Sequence, residues 1–157
     1  MEGVAGGRIW QGFLWGVAAT VAMTIAHVLI WALTGRLTVV PLATRTLPGS
    51  IIAKILGPAL STSAHPFLAA LIHVVYGGFW GGVLFALVPR VKFWHGAGVG
   101  AFNLSAWESF CIRFFAGAEP GRLFAIFFPM ATHFTYGATL GFLGWLAGRQ
   151  ESVLAPA

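Results

Sequence analysis

Three histidines and a carboxylate stand inside long apolar stretches of this chain: His27, His73, Glu108 and His133. Two of them share their surroundings. His73-Val-Val-Tyr76-Gly77-Gly-Phe-Trp-Gly81 and His133-Phe-Thr-Tyr136-Gly137-Ala-Thr-Leu-Gly141 both read H-x-x-Y-G-x-x-x-G, and they contain the only two tyrosines of the chain. An ionisable group in apolar surroundings is costly unless it is paired, so such groups gather where they can hydrogen-bond one another. A polar layer of His27, His73, Tyr76, Glu108, His133 and Tyr136 is therefore expected, with Thr24 and Ser105 within a turn of it. Several kinds of chemistry suit such a set. A histidine bonded to a carboxylate or hydroxyl can fix helix register with no chemistry at all. Imidazoles and a carboxylate in series can pass protons or a small solute. His27, His73, Glu108 and His133 also form a possible ligand set for a transition metal such as zinc, iron or copper. His73 and His133 could alternatively be the axial pair of a b-type haem, with the neighbouring glycines making room for the porphyrin. Within the layer Glu108 is expected to be the most sensitive member, because its loss removes the best acceptor from three histidines.

The elements that must hold these residues are helices in lipid. Of 157 residues, 58% are hydrophobic and 8% charged, too few charges to cover a water-soluble domain of this size. Soluble enzymes and disordered chains are thereby excluded. The net charge of +5 comes from basic residues scattered singly at the ends of apolar runs, a pattern that suits membrane topology and anionic lipid and not nucleic acid. The single cysteine, Cys111, can form no internal disulfide. No Walker motif, GxSxG, HExxH or paired carboxylate is present, and no catalytic residue is assigned.

Four apolar runs span 9–33, 66–88, 96–116 and 122–147, each long enough to cross about 30 Å of hydrocarbon at about 1.5 Å per residue. Trp10 and Trp31 stand near the two ends of the first. The connection 36–65 is the longest; its Ile51, Ile52, Ile55, Leu56, Ala59 and Leu60 fall on one helical face, which suggests a short interfacial helix or an apolar loop packed on the bundle. Pro129 should kink or loosen the fourth run one turn before His133. His65 and His95 are expected in turns, Trp80 and Trp107 in packing, and the tail from Gly148 in a frayed, polar end.

The echo extends beyond the histidines. Gly16, Thr20, Thr24 and His27 in the first run are spaced like Ala97, Ala101, Ser105 and Glu108 in the third. Each set makes one stripe of small residues leading to an ionisable group. The expected architecture is all-α: an integral-membrane four-helix bundle of two tandem hairpins related by a pseudo-twofold axis along the membrane normal. Because alternate helices run in opposite directions, the four ionisable groups fall in one half of the bilayer, roughly 9–16 Å inside the face bearing the long connection. The basic turn Arg90–Lys92, with Arg8 and Arg149 at the same end, favours cytoplasmic termini.

The run Val88-Pro-Arg-Val-Lys-Phe-Trp-His-Gly96 leads into a small-residue helix, between one His-bearing glycine-rich helix and another at His133-x-x-Tyr136-Gly137. Over about 66–147 this resembles small four-span bacterial inner-membrane proteins of the YagU-like kind. That resemblance implies an integral inner-membrane protein of unassigned role and carries over no catalytic residues. The function expected is a small multi-pass membrane protein with a buried His/Glu layer, structural or serving a proton or small-solute path. The alternatives are a haem- or metal-binding subunit of an electron-transfer complex and a non-catalytic accessory or assembly subunit. Lipid is the expected partner, with a homo-oligomer or a larger membrane complex open.

Overall fold

Helix is the default for these residues wherever lipid or protein surrounds them, since only a helix satisfies its own backbone polar groups within one segment. The computed structural model describes residues 2–33, 65–103 and 123–154. They form four helices and, among the described residues, no strand: α1 (Glu2–Leu33), α2 (His65–Leu87), α3 (Phe93–Phe102) and α4 (Leu123–Leu154). The suggested helix within 36–65 and the far part of the third run, with Ser105, Trp107, Glu108, Cys111 and Arg113, lie outside the described residues. Among the described residues, two stretches are long and apolar enough to cross a membrane, Gly6–Ile30 in α1 and Ala70–Leu87 in α2.

α1 is about 48 Å long by its 32 residues, starting well before Ile9. Arg8 explains why the early turns have something to hold. Its Nη2 donates to the carbonyl oxygen of Val88 at 2.9 Å and stands 3.5 Å from that of Phe85. Those carbonyls belong to the last turn of α2, where intrahelical donors run out. Pro89, which has no N–H, would otherwise have served Phe85. The guanidinium thus caps one helix from the start of another.

At the other side of the turn, Lys92 is extended and α3 begins at Phe93. His95, expected in a turn, is in the first turn of this helix. Its Nδ1 accepts the backbone N–H of Lys92 at 3.0 Å, and its own N–H donates to the Lys92 carbonyl at 3.0 Å. α4 runs unbroken through Pro129 and continues to Leu154, so the segment after Gly148 is helical and not the frayed end expected. Arg149 lies over the Trp145 ring, 4.6 Å from its centroid, a pairing that this continued helix places one turn apart.

α1 packs along α2, and α3 along α4; α1 also packs along α4, while the described part of α3 touches α2 lightly. Both main seams are made of backbone. A Cβ added to Gly16 would run into the carbonyl of Gly77, and one added to Gly96 into the carbonyl of Gly137. Between the seams lies a small core of Ala19, Met23, Leu84, Phe85, Val91, Tyr136 and Leu140, flanked by Trp15, Trp80, Val88 and Val99. The large apolar side chains are mostly elsewhere. Leu14, Val21, Ile25 and Leu29 on α1, Leu71, Val75 and Phe79 on α2, and Phe134 and Phe142 on α4 all face outward.

The expected stripe on α1 lies in its seam at Gly16 and Thr20, both buried, whereas the register of the expected stripe on α3 is corrected. Gly96 and Gly100 are buried while Ala101 is exposed, and Thr24 is exposed on α1. The contact face of α3 is therefore the row Gly96, Gly100, Asn103, one residue away from the expected row through Ala97 and Ala101. Glycine marks the contact on α3 because it allows the closest approach of two backbones; alanine, common on every face here, does not by itself pick out the register.

Candidate functional site

Small residues at the seams bring the helices so close that polar side chains near them must meet. Thr20 and Met23 of α1, His73, Tyr76, Gly77 and Trp80 of α2, Asn103 at the end of α3, and His133 and Tyr136 of α4 line one niche of about 20 Å³. That is room for about one water molecule. Every helix contributes, and the two histidines come from the two copies of the repeated motif.

The hydroxyls in this niche have defined partners. Tyr136 is 3% exposed, and its hydroxyl donates to the Gly77 carbonyl at 2.7 Å, tying α4 to α2. The Tyr76 hydroxyl donates to Asn103 Oδ1 at 2.9 Å, tying α2 to α3. Asn103 Nδ2 in turn donates to the Val99 carbonyl at 3.2 Å, which fixes which end of the amide faces Tyr76. Thr20, fully buried, donates to the Gly16 carbonyl at 2.8 Å. The rings close the wall: Trp80 meets Tyr76 edge-on at 6.2 Å and Phe102 at 5.6 Å between centroids. These four donors are committed, and the niche also holds the imidazoles of His73 and His133.

The two tyrosines do not behave alike, although their local sequences match. The glycine contacts place Thr20 on α1 where Gly100 stands on α3, and so Met23 where Asn103 stands. Tyr76 finds an amide at that position. A tyrosine facing Met23 finds only a thioether, a weak acceptor, and Tyr136 reaches a backbone carbonyl instead.

Of the residues expected in one layer, the structure brings His73, Tyr76, His133 and Tyr136 together. His27, half-buried one turn beyond Met23, is not among the lining residues, and Glu108 lies outside the described residues. Among the described residues no three His, Cys, Asp or Glu side chains gather as a metal site. The glycine faces that a porphyrin would need are taken up by neighbouring helices: Gly77 against Thr20 and Gly16, Gly137 against Gly96 and Ala97. Asn103 and Thr20 are the members that sequence reasoning did not place in the layer. Asn103 follows Gly96 and Gly100 at helical spacing, a signal visible once the glycines alone set the register.

No protein-family model, curated protein or solved structure matches the chain.

Proposed function

We propose that this chain is an integral inner-membrane protein, a four-helix bundle of two tandem hairpins about a pseudo-twofold axis, whose centre passes protons between His73 and His133. The membrane part rests on an inside-out distribution of side chains. Thr20, Asn103, Thr132, His133 and Tyr136 are buried, while bulky Leu, Ile, Val and Phe side chains cover the outside. Water does not favour that surface, and lipid does. Only 22% of the best apolar window of α1 and 33% of that of α2 are buried, unlike core helices of a soluble protein. The resemblance to YagU-like four-span proteins belongs to the same reading. The end carrying Arg8, Arg90, Lys92 and Arg149 is assigned to the cytoplasm.

The functional part rests on one observation: both motif histidines line a single small niche, with room for about one water, beside the side chains of Thr20, Tyr76, Asn103 and Tyr136. Imidazole is the side chain whose proton exchanges near neutral pH, and tyrosine oxygens beside it can receive the N–H it gains. The space suits a water molecule and the protons it carries. A competing reading, a register lock without chemistry, is favoured by the Tyr136–Gly77 and Tyr76–Asn103 hydrogen bonds.

Proteoliposomes loaded with a pH-sensitive dye and driven by a potassium diffusion potential separate the two. Wild-type protein should acidify or alkalinise the lumen faster than protein-free vesicles. His73→Asn and His133→Asn should each lower that rate on the order of a hundredfold, as for removal of a positioned proton-transfer group. Wild-type vesicles no leakier than empty ones would leave the register lock as the function of the layer.

A further inference from the structure

A second cavity lies at the opposite end of the helices from the motif histidines, and it is larger and basic. It has a volume of about 420 Å³, within the range of about 300–1,000 Å³ typical of small-ligand sites. Three separate segments supply its cations: Arg8 from the start of α1, Arg90 from the α2–α3 turn and Arg149 from late α4. Gln11 adds an amide, and Trp145 and Phe85 supply an aromatic wall. Two of the three arginines are held in place. Arg8 is tied to the Val88 carbonyl, and Arg149 lies against the Trp145 ring. Their guanidinium groups are therefore positioned before anything binds, which reduces the ordering cost of binding.

The level of this cleft along the helices is marked independently. Trp10, Trp94 and Trp145, all exposed, ring the same end of the bundle. Exposed tryptophans collect at the boundary between headgroups and hydrocarbon. A cleft at that level, with guanidinium forks on its polar side and rings on its apolar side, meets a phosphodiester above its glycerol. Arginine matches phosphate oxygens in a two-pronged geometry. We propose that this cleft is a binding site for the phosphate headgroup of an anionic phospholipid of the inner leaflet. The shared chemistry is phosphate; the source is the lipid, because the aromatic wall gives a free phosphate nothing to contact. The inference rests on the membrane reading given above.

The test uses the full chain in nanodiscs of phosphatidylcholine, titrated with phosphatidylglycerol and read by native mass spectrometry and by thermal unfolding. Wild type should retain phosphatidylglycerol in preference to phosphatidylcholine and melt later with it. The pair Arg90→Gln and Arg149→Gln, leaving the helix-capping Arg8 in place, should weaken that retention roughly thirtyfold. If the pair does not fold, Arg90→Gln alone, in the exposed turn, should weaken it roughly fivefold. Excess inorganic phosphate should not displace the lipid. Retention unchanged in the variants overturns the site, and displacement by inorganic phosphate overturns the lipid as its occupant. Carbonate extraction of wild-type membranes is run alongside. Release of the protein there would sink the membrane reading itself, whereas a protein that stays inserted but shows no headgroup preference fails on the cleft alone.

Discussion

The buried Tyr136 ties two helices with one hydroxyl, which reaches across to a backbone carbonyl that already belongs to α2. Tyr136→Phe removes only the oxygen, and the Gly77 carbonyl keeps its place in α2. The expected loss is about 1 kcal/mol, the net worth of one such bond. Asn103→Leu should cost more, about 1–3 kcal/mol, since it removes the Oδ1 that accepts from Tyr76 and the Nδ2 that donates to the Val99 carbonyl, two hydrogen bonds in place of one. Thermal unfolding of both variants in one detergent gives the order directly; Tyr136→Phe melting below Asn103→Leu would contradict it. At this scale the sequence was partly legible. A histidine and a tyrosine repeated at one spacing pointed to side chains that do line the niche. Asn103 escaped because an amide has no spacing rule of its own. It takes its meaning from the glycines one and two turns before it.

Among the elements, close approach is what the glycines are for, and it varies sharply from one glycine to the next. Gly98 has nothing within 4 Å of where a Cβ would stand, whereas Gly77 and Gly137 face the neighbouring helix backbone or side chains at contact distance. Gly98→Ala should therefore be neutral or slightly stabilising through helix propensity, by up to about 1 kcal/mol. Gly137→Ala must push α3 away from α4 and should destabilise by about 1–3 kcal/mol, as overpacking does. Chemical unfolding of the two variants in mixed micelles measures the contrast, and equal midpoints would remove the close seam from the description. The G-x-x-x-G spacing made the seams readable in advance. Their register on α3 was not, because a stripe of alanine and serine fits the same helical period one residue away. What separates the two is steric room for a backbone, which periodicity does not encode. The early start of α1 was equally hidden. Arg8 in those early turns reaches the Val88 carbonyl, a contact between residues 80 positions apart.

For the whole molecule, the four helices of the described residues fall on the four apolar runs, so their existence was legible from the length of those runs. Their mutual packing was legible only where glycine recurred. The placement of the basic end gives a prediction at this scale. With Cys111 replaced by serine, a cysteine put in place of Arg90 should react with a membrane-impermeant maleimide only in inside-out vesicles. A reporter fused after Ala157 should be active on the cytoplasmic side. Labelling of Arg90→Cys in intact cells would reverse the orientation.

The glycine seams also set how stability responds to temperature. Proteins that fold by hiding oil from water change heat capacity strongly when they open, and their stability peaks at about 10–20 °C. Here the bulky apolar groups face outward before and after the helices separate, and the seams hide mainly backbone and small side chains. On the membrane reading proposed above, pulling α1 from α2 within a bilayer exposes little apolar surface to water. The heat-capacity increment of that step should be near zero, and its free energy should fall along an almost straight line with warming. Reversible helix dissociation followed in bilayers across a range of temperatures would show the line; a dome with an interior maximum would mean that water, after all, floods the seam.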